Sequence, residues 1–135
     1  MRRIFILLSI IMSLSALPEA VIRAAEPAPP CVKSPEIIGA CFVVHGRLML
    51  TNGNPSVRIW RVGTKRMLGV LDADRNVFND LTDLPSELRK LFPVNNPDRT
   101  VIFGDYTVCP LSVERPGWMQ DVCIAHAENL VAKPR

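Results

Sequence analysis

Four cysteines, two histidines and a tryptophan set between arginines are the residues of this 135-residue chain whose chemistry could be put to use. The cysteines, Cys31, Cys41, Cys109 and Cys123, are even in number, and their spacing contains no C-x-x-C knuckle of the kind that structural zinc sites use. Two disulfides are therefore expected. Four cysteines allow three connectivities. The pairing of near neighbours is preferred among them, with Cys31 joined to Cys41 and Cys109 joined to Cys123 on adjacent strands around a turn at Glu114–Gly117.

The histidines offer less. Cys123-x-x-His126, with His45 upstream, follows the ligand order of a blue-copper site, but the methionine expected after His126 is missing. A cysteine held in a disulfide can serve neither as a copper thiolate nor as a nucleophile. Asp72, Asp74, Asn76, Asp80 and Asp83 fall at the first, third, fifth, ninth and twelfth places of a calcium-type loop. Val77 stands where such a loop needs glycine, so no calcium binding at sensor affinities is expected. Asp105 and Asp121 could share acid–base work, yet no spacing ties them together. The sequence has no G-x-S-x-G elbow, no H-E-x-x-H pair and no phosphate-binding glycine loop. These residues predict no catalytic site, no cofactor and no metal.

Recognition is better provided for. Cys41–Leu50 alternates as a strand with Phe42, Val44, Leu48 and Leu50 on one face, and Val57–Val62 reads as the returning strand. Asn52-Gly53 suggests a tight turn between them; the longer loop Thr51–Ser56 gives the same side-chain parity. Either way, Val57 and Ile59 join the apolar face. His45, Arg47, Arg58 and Trp60 fall on the other, with Val43, Met49 and Val62. An indole flanked by guanidinium groups is a frequent binding hot spot, and these four residues are the candidate ligand-binding site. The competing expectation is that Val43 and Val62 bury this side as a second core layer. From Ile37 to Leu71 the chain carries Arg47, Arg58, Arg61, Lys65 and Arg66 and no acid, while the stretch after it is acidic. Such segregation either steers an anionic or zwitterionic partner or lets the acidic loop fold over the basic hairpin.

The remaining elements are a strand near Met67–Leu71, a short helix carrying Leu84, Leu88 and Leu91 behind Asp83 as a cap, and a strand pair at Thr100–Leu111 and Trp118–Ala125. The fold class is mainly β: a small disulfide-stabilised antiparallel sandwich or barrel with one short helix. Residues 1–25 read as a signal peptide, with Arg2-Arg3, an apolar run from Ile4 to Leu17 and small residues up to Ala25. That run is shorter than the ~20 residues a bilayer-spanning helix needs. Export by the general secretory route to the periplasm or medium follows. Residues 26–40 form a proline-rich extended leader and residues 41–135 a single domain. Without Arg2, Arg3, Arg23 and Glu19 the precursor's net charge of +3 falls to about +1, which gives no support to nucleic-acid binding.

The strings CFVVHGRL, RIWRVGTKRMLGV, FGDYTVCPL and VCIAHAENL resemble a family of small exported bacterial proteins, over most of the mature chain. The resemblance implies export and a single domain, and it brings no activity and no functional residues. The function expected from all of this is a non-catalytic binding module of the cell envelope with a protein or polymer partner. One alternative is a secreted inhibitor of a hydrolase presenting the loop Pro110–Gly117. The other is a small hydrolase built on Asp105, Asp121 or a histidine.

Overall fold

The computed structural model describes residues 30–77, 81 and 84–135. The signal-peptide segment, residues 26–29 of the leader, and Asp80 and Asp83 lie outside the described residues. Five strands follow one another along the chain: β1 (Phe42–Leu50), β2 (Val57–Arg61), β3 (Met67–Val70), β4 (Thr100–Pro110) and β5 (Gln120–Pro134). They close into a barrel in the order β1-β2-β3-β5-β4. Every neighbouring pair is antiparallel except β3 and β5, which run parallel over Leu68–Val70 and Gln120–Val122. The expected antiparallel barrel is thus closed by one short parallel seam. This order, with helical structure between β3 and β4, is the Greek-key order of the OB barrel.

Alternation decides what fills the barrel. Val44 and Leu48 of β1, Val57 and Ile59 of β2, and Leu68 and Val70 of β3 point inward and are buried, as do Ile102, Tyr106 and Val108 of β4. Each such aliphatic side chain contributes about 1.5–3 kcal/mol by leaving water. The phenol of Tyr106 is fully buried and donates to the Ile102 carbonyl at 2.6 Å, which satisfies a group that would otherwise be costly there. Room for this ring comes from Gly46, where a Cβ would collide with Ile59 and stand 3.4 Å from the Tyr106 ring. Leu88 of the single-turn helix α1 (Ser86–Arg89) joins the same core with Leu84 and Phe92. Pro85 precedes this helix, and no side chain caps it.

Two expected details are overturned. The β1–β2 hairpin does not use a tight Asn52-Gly53 turn: neither residue has a positive φ, and the loop closes between the Thr51 N–H and the Ser56 carbonyl at 2.7 Å. The Arg58 guanidinium packs on Gly53 and its Nε donates to the Pro55 carbonyl at 2.9 Å, so the wider loop is stitched by a side chain. The last strand also runs on to Pro134, well past the expected Ala125. Its register jumps between Thr107 and Val108 and again between Phe103 and Asp105, each time with an extra residue on β5, and Asn129 takes a left-handed φ of 54°. Those bulges break the alternation by which a strand is recognised in sequence.

The disulfides also depart from expectation. Cys31 is bonded to Cys123 and Cys41 to Cys109, and no described cysteine is free. Cys109 and Cys123 do sit opposite each other on β4 and β5. Cys41, just ahead of Phe42, extends the β1–β4 ladder to lie beside Cys109, with Cα atoms 4.0 Å apart. A 3-10 turn at Pro30–Lys33 carries Cys31 onto the far member of this row, so Cys109 closes with Cys41 instead. Leu71, Leu111 and Ile37 pack around the cysteines as a second, smaller core.

Candidate functional site

The register confirms the parity on which the site depends. Leu48 lies opposite Ile59, Arg47 opposite Trp60 and Met49 opposite Arg58, so Arg47, Arg58 and Trp60 share the outer face of β1 and β2 with His45. Val43 and Val62 are exposed, so they do not form a second core layer; at the other end of the face Met49 is buried. The face is therefore open at one end and covered at the other.

The Arg47 guanidinium lies over the Trp60 ring, 4.4 Å from its centroid. This is a cation–π contact between cross-strand neighbours, of a kind that contributes about 0.5–2 kcal/mol depending on desolvation. The indole is held from its other end, because Nε1 donates to the Thr64 carbonyl at 2.7 Å in the β2–β3 turn. Trp60 is 37% exposed in this fixed position. Arg47 has a second ring neighbour: Phe103 of β4 lies directly across from it, and Lys133 of β5 brings its ammonium to 5.2 Å from that ring. One row on the barrel's surface thus reads indole, guanidinium, phenyl and ammonium across four strands. Phe103 and Lys133 escape sequence reasoning because they reach the site only through the β1–β4 and β4–β5 pairings.

Beside this row stands a polar group of three. His45 Nδ1 is 2.8 Å from Asp105 Oδ1, and Asn129 Nδ2 donates to Asp105 Oδ2 at 2.8 Å. Hydrogen bonds from Asn129 and then His45 hold the Asp105 carboxyl below its ordinary range. With Nδ1 engaged, Nε2 is the ring nitrogen His45 has left for another partner, and its side chain is 60% exposed. The pair resembles half of a general-base apparatus, but among the described residues no hydroxyl or thiol is hydrogen-bonded to Nε2.

The other sequence candidates fare differently. Arg58 holds the hairpin loop and makes no contact of the kind Arg47 makes with Trp60. Asp121 lies opposite Gly69 on the seam between β3 and β5, so it is not brought to Asp105. The copper reading fails because Cys123 is bonded to Cys31, while His126 stands 3.6 Å from Glu87 and 3.7 Å from Glu128. In the calcium-type loop Asp72 Oδ1 accepts the N–H groups of Asp74 and Asn76, an ordinary turn. Of the basic residues on the hairpin, among the described residues Arg66 pairs with Glu114, and Arg47, Arg58, Arg61 and Lys65 make no ion pair. No helix among the described residues is long and apolar enough to cross a membrane. No protein-family model, no curated protein and no solved structure matches this chain.

Proposed function

We propose that this protein is a non-catalytic binding module of the cell envelope and that its ligand lies on the outer face of β1, β2 and β4. The observation that carries the reading is the row Trp60, Arg47, Phe103 and Lys133, in which each ring is matched with a cation and the indole is pinned at its N–H end. Rigid aromatic groups beside arginine lose little entropy on binding and dominate the energetics of recognition surfaces. The strand order adds a fold-level analogy, since OB barrels bind extended polymers on their outer strands; the site, not the fold, carries the argument.

Co-sedimentation of the mature, oxidised protein with an insoluble envelope fraction tests this. Saturable binding should fall at least fivefold in Trp60→Ala with little change in melting temperature. Arg58→Ala should loosen the hairpin loop and leave binding nearly intact. Equal binding by wild type and Trp60→Ala would overturn the assignment of this face.

A second reading has one observation in its favour. The loop between β4 and β5 leaves the barrel from the paired positions Cys109 and Cys123, so both disulfides brace its stem, and Val113 and Trp118 stand exposed at its tip. Gly117 there has a φ of 77°, the left-handed turn residue that Arg115-Pro116-Gly117-Trp118 needs. Such a loop suits an inhibitor of a hydrolase. Stoichiometric loss of a hydrolase's activity on titration, relieved by Trp118→Ala but not by Trp60→Ala, would favour it.

A further inference from the structure

Arg47 lacks a partner of its own kind. Its Nε is buried with no hydrogen-bond acceptor, and among the described residues the side chain makes no ion pair and no hydrogen bond; its contact is with the Trp60 ring. A guanidinium drawn part-way out of water normally meets a carboxylate, a phosphate or a carbonyl, because a desolvated charge is costly unless it is compensated. The indole face offsets only part of that cost. Lys133, over Phe103, likewise makes no ion pair among the described residues. Of the carboxylates described on this part of the surface, Asp105 is already occupied by His45 and Asn129, and Glu128, opposite it on β5, stands 3.7 Å from His126. Charge complementarity therefore calls for an anion from outside the chain.

The geometry also restricts what carries that anion. Both edges of β1 are paired, to β2 and to β4, and β4 is paired on its other edge to β5, so no strand edge at this face is free to accept an extended peptide. Arg47 covers one face of Trp60 and Lys133 stands over Phe103, so the rings do not offer the successive open faces on which nucleobases stack. What remains is a part-exposed indole with a cation at its back and, two residues along β1, a histidine whose orientation is fixed by a carboxylate. A pyranose ring meets such a surface well. Its C–H face lies against the open face of the indole, its hydroxyls meet His45 Nε2, and an acidic substituent of the next sugar meets the guanidinium past the ring's edge.

We infer that this face binds an acidic oligosaccharide, with one sugar ring against the open face of Trp60 and the carboxylate of a neighbouring uronic-acid residue of the same oligomer on Arg47. The inference rests on the binding-module reading and gives it a ligand class. The probe is an oligomer of galacturonic acid, with its methyl ester as the uncharged control of the same shape. Tryptophan fluorescence and calorimetry should report binding of the acid at least tenfold tighter than of the ester, weakening as salt is raised. Arg47→Met keeps the side chain's bulk over Trp60 and removes the unpaired Nε, so it should leave the melting temperature unchanged or higher while weakening the acid at least tenfold. Arg47→Lys keeps the charge without the planar fork and should fall between the two.

Equal affinity for acid and ester would overturn the inference, as would undiminished binding by Arg47→Met. Tighter, Arg47-dependent binding of a thymidine oligomer would assign the face to single-stranded nucleic acid, and equal binding of polyglutamate would reduce it to a generic polyanion surface; either result overturns the inference. If the galacturonate oligomer does not bind but envelope co-sedimentation still depends on Trp60, the ligand class is wrong and the binding module stands. If both are lost, both readings fall.

Discussion

The barrel wears two kinds of outer surface. Over the ends of β4 and β5 the chain covers itself: the Pro30–Lys33 turn and Ile37 lie on Cys109, Leu111 and Cys123, and both disulfides hold them there. Around on β1 and β2 the row of Trp60 and Arg47 is left half-exposed, and the residues are rings and cations. Both regions are outward-facing positions of the same strands, since Cys41 and Arg47 have the same parity on β1. What separates them is whether the chain supplies its own cover. Where it does, the positions hold small and aliphatic groups that tolerate complete burial; where it does not, they hold side chains that are stable half-wet and suited to a partner.

The largest effect should come from the covered region. Replacing Cys31 and Cys123 together by alanine, or Cys41 and Cys109, should lower the free energy of unfolding in denaturant by about 2–5 kcal/mol, because each bond closes a loop of most of the domain. Arg47→Met on the open face should cost almost nothing in the same assay. Non-reducing peptide mapping should recover Cys31 with Cys123 and Cys41 with Cys109. A Cys109–Cys123 peptide would break the comparison, because the leader would then have no bond to the end of the barrel it covers.

Between these surfaces lies the core, and Tyr106 reports on it alone as the only tyrosine in the chain. Burial pushes its phenol well above the ordinary range, so the folded protein keeps a proton that the unfolded chain gives up near pH 10. That contribution is fully present below pH ~10 and is lost as pH rises beyond it. Tyrosinate absorbance should appear only together with unfolding. Tyr106→Phe should remove this coupling and cost about 1 kcal/mol for the hydrogen bond to Ile102. A tyrosinate signal at pH 10 in a folded protein would show that the core is wet.

The smallest effect belongs to the open face. NMR titration should find the Asp105 carboxyl ionising below the ordinary aspartate value. Its share of stability is present above that value and is lost as pH falls through the lowered one, and solvent screening makes it a matter for resonance shifts instead of unfolding curves. Asn129→Gly keeps the left-handed backbone available while deleting the amide, so Asp105 should move back toward its usual range. No movement would mean that His45 alone holds the carboxylate.

Much of the open face was legible in the sequence because parity does not depend on turn length. Leu50 and Val57 face each other across a longer loop than Asn52-Gly53 suggests, and Arg47 still meets Trp60. The partners of that face were hidden because they come from across the barrel: Asp105 is sixty residues from His45, and no local pattern sets the β1–β4 register. The far half of β5 was hidden by its bulges, and Lys133 with it. The disulfides were misread for a different reason. Cys41, Cys109 and Cys123 form one continuous row on the sheet, so proximity alone allows two pairings, and the choice is made by where a short turn delivers Cys31.

That arrangement sets a problem for the chain as it is made. Synthesis proceeds from the N-terminus, so Cys31 and Cys41 are the first thiols to appear, and their native partners, Cys123 and Cys109, come 92 and 68 residues later. An oxidant that acts early meets only a pair that the finished barrel never uses. The Cys31–Cys41 bond then has to be attacked by a later thiolate and passed on, an exchange that takes minutes to hours without a catalyst. Correct pairing thus depends on timing: either oxidation waits until β5 has closed the seam with β3, or the compartment must supply an isomerase.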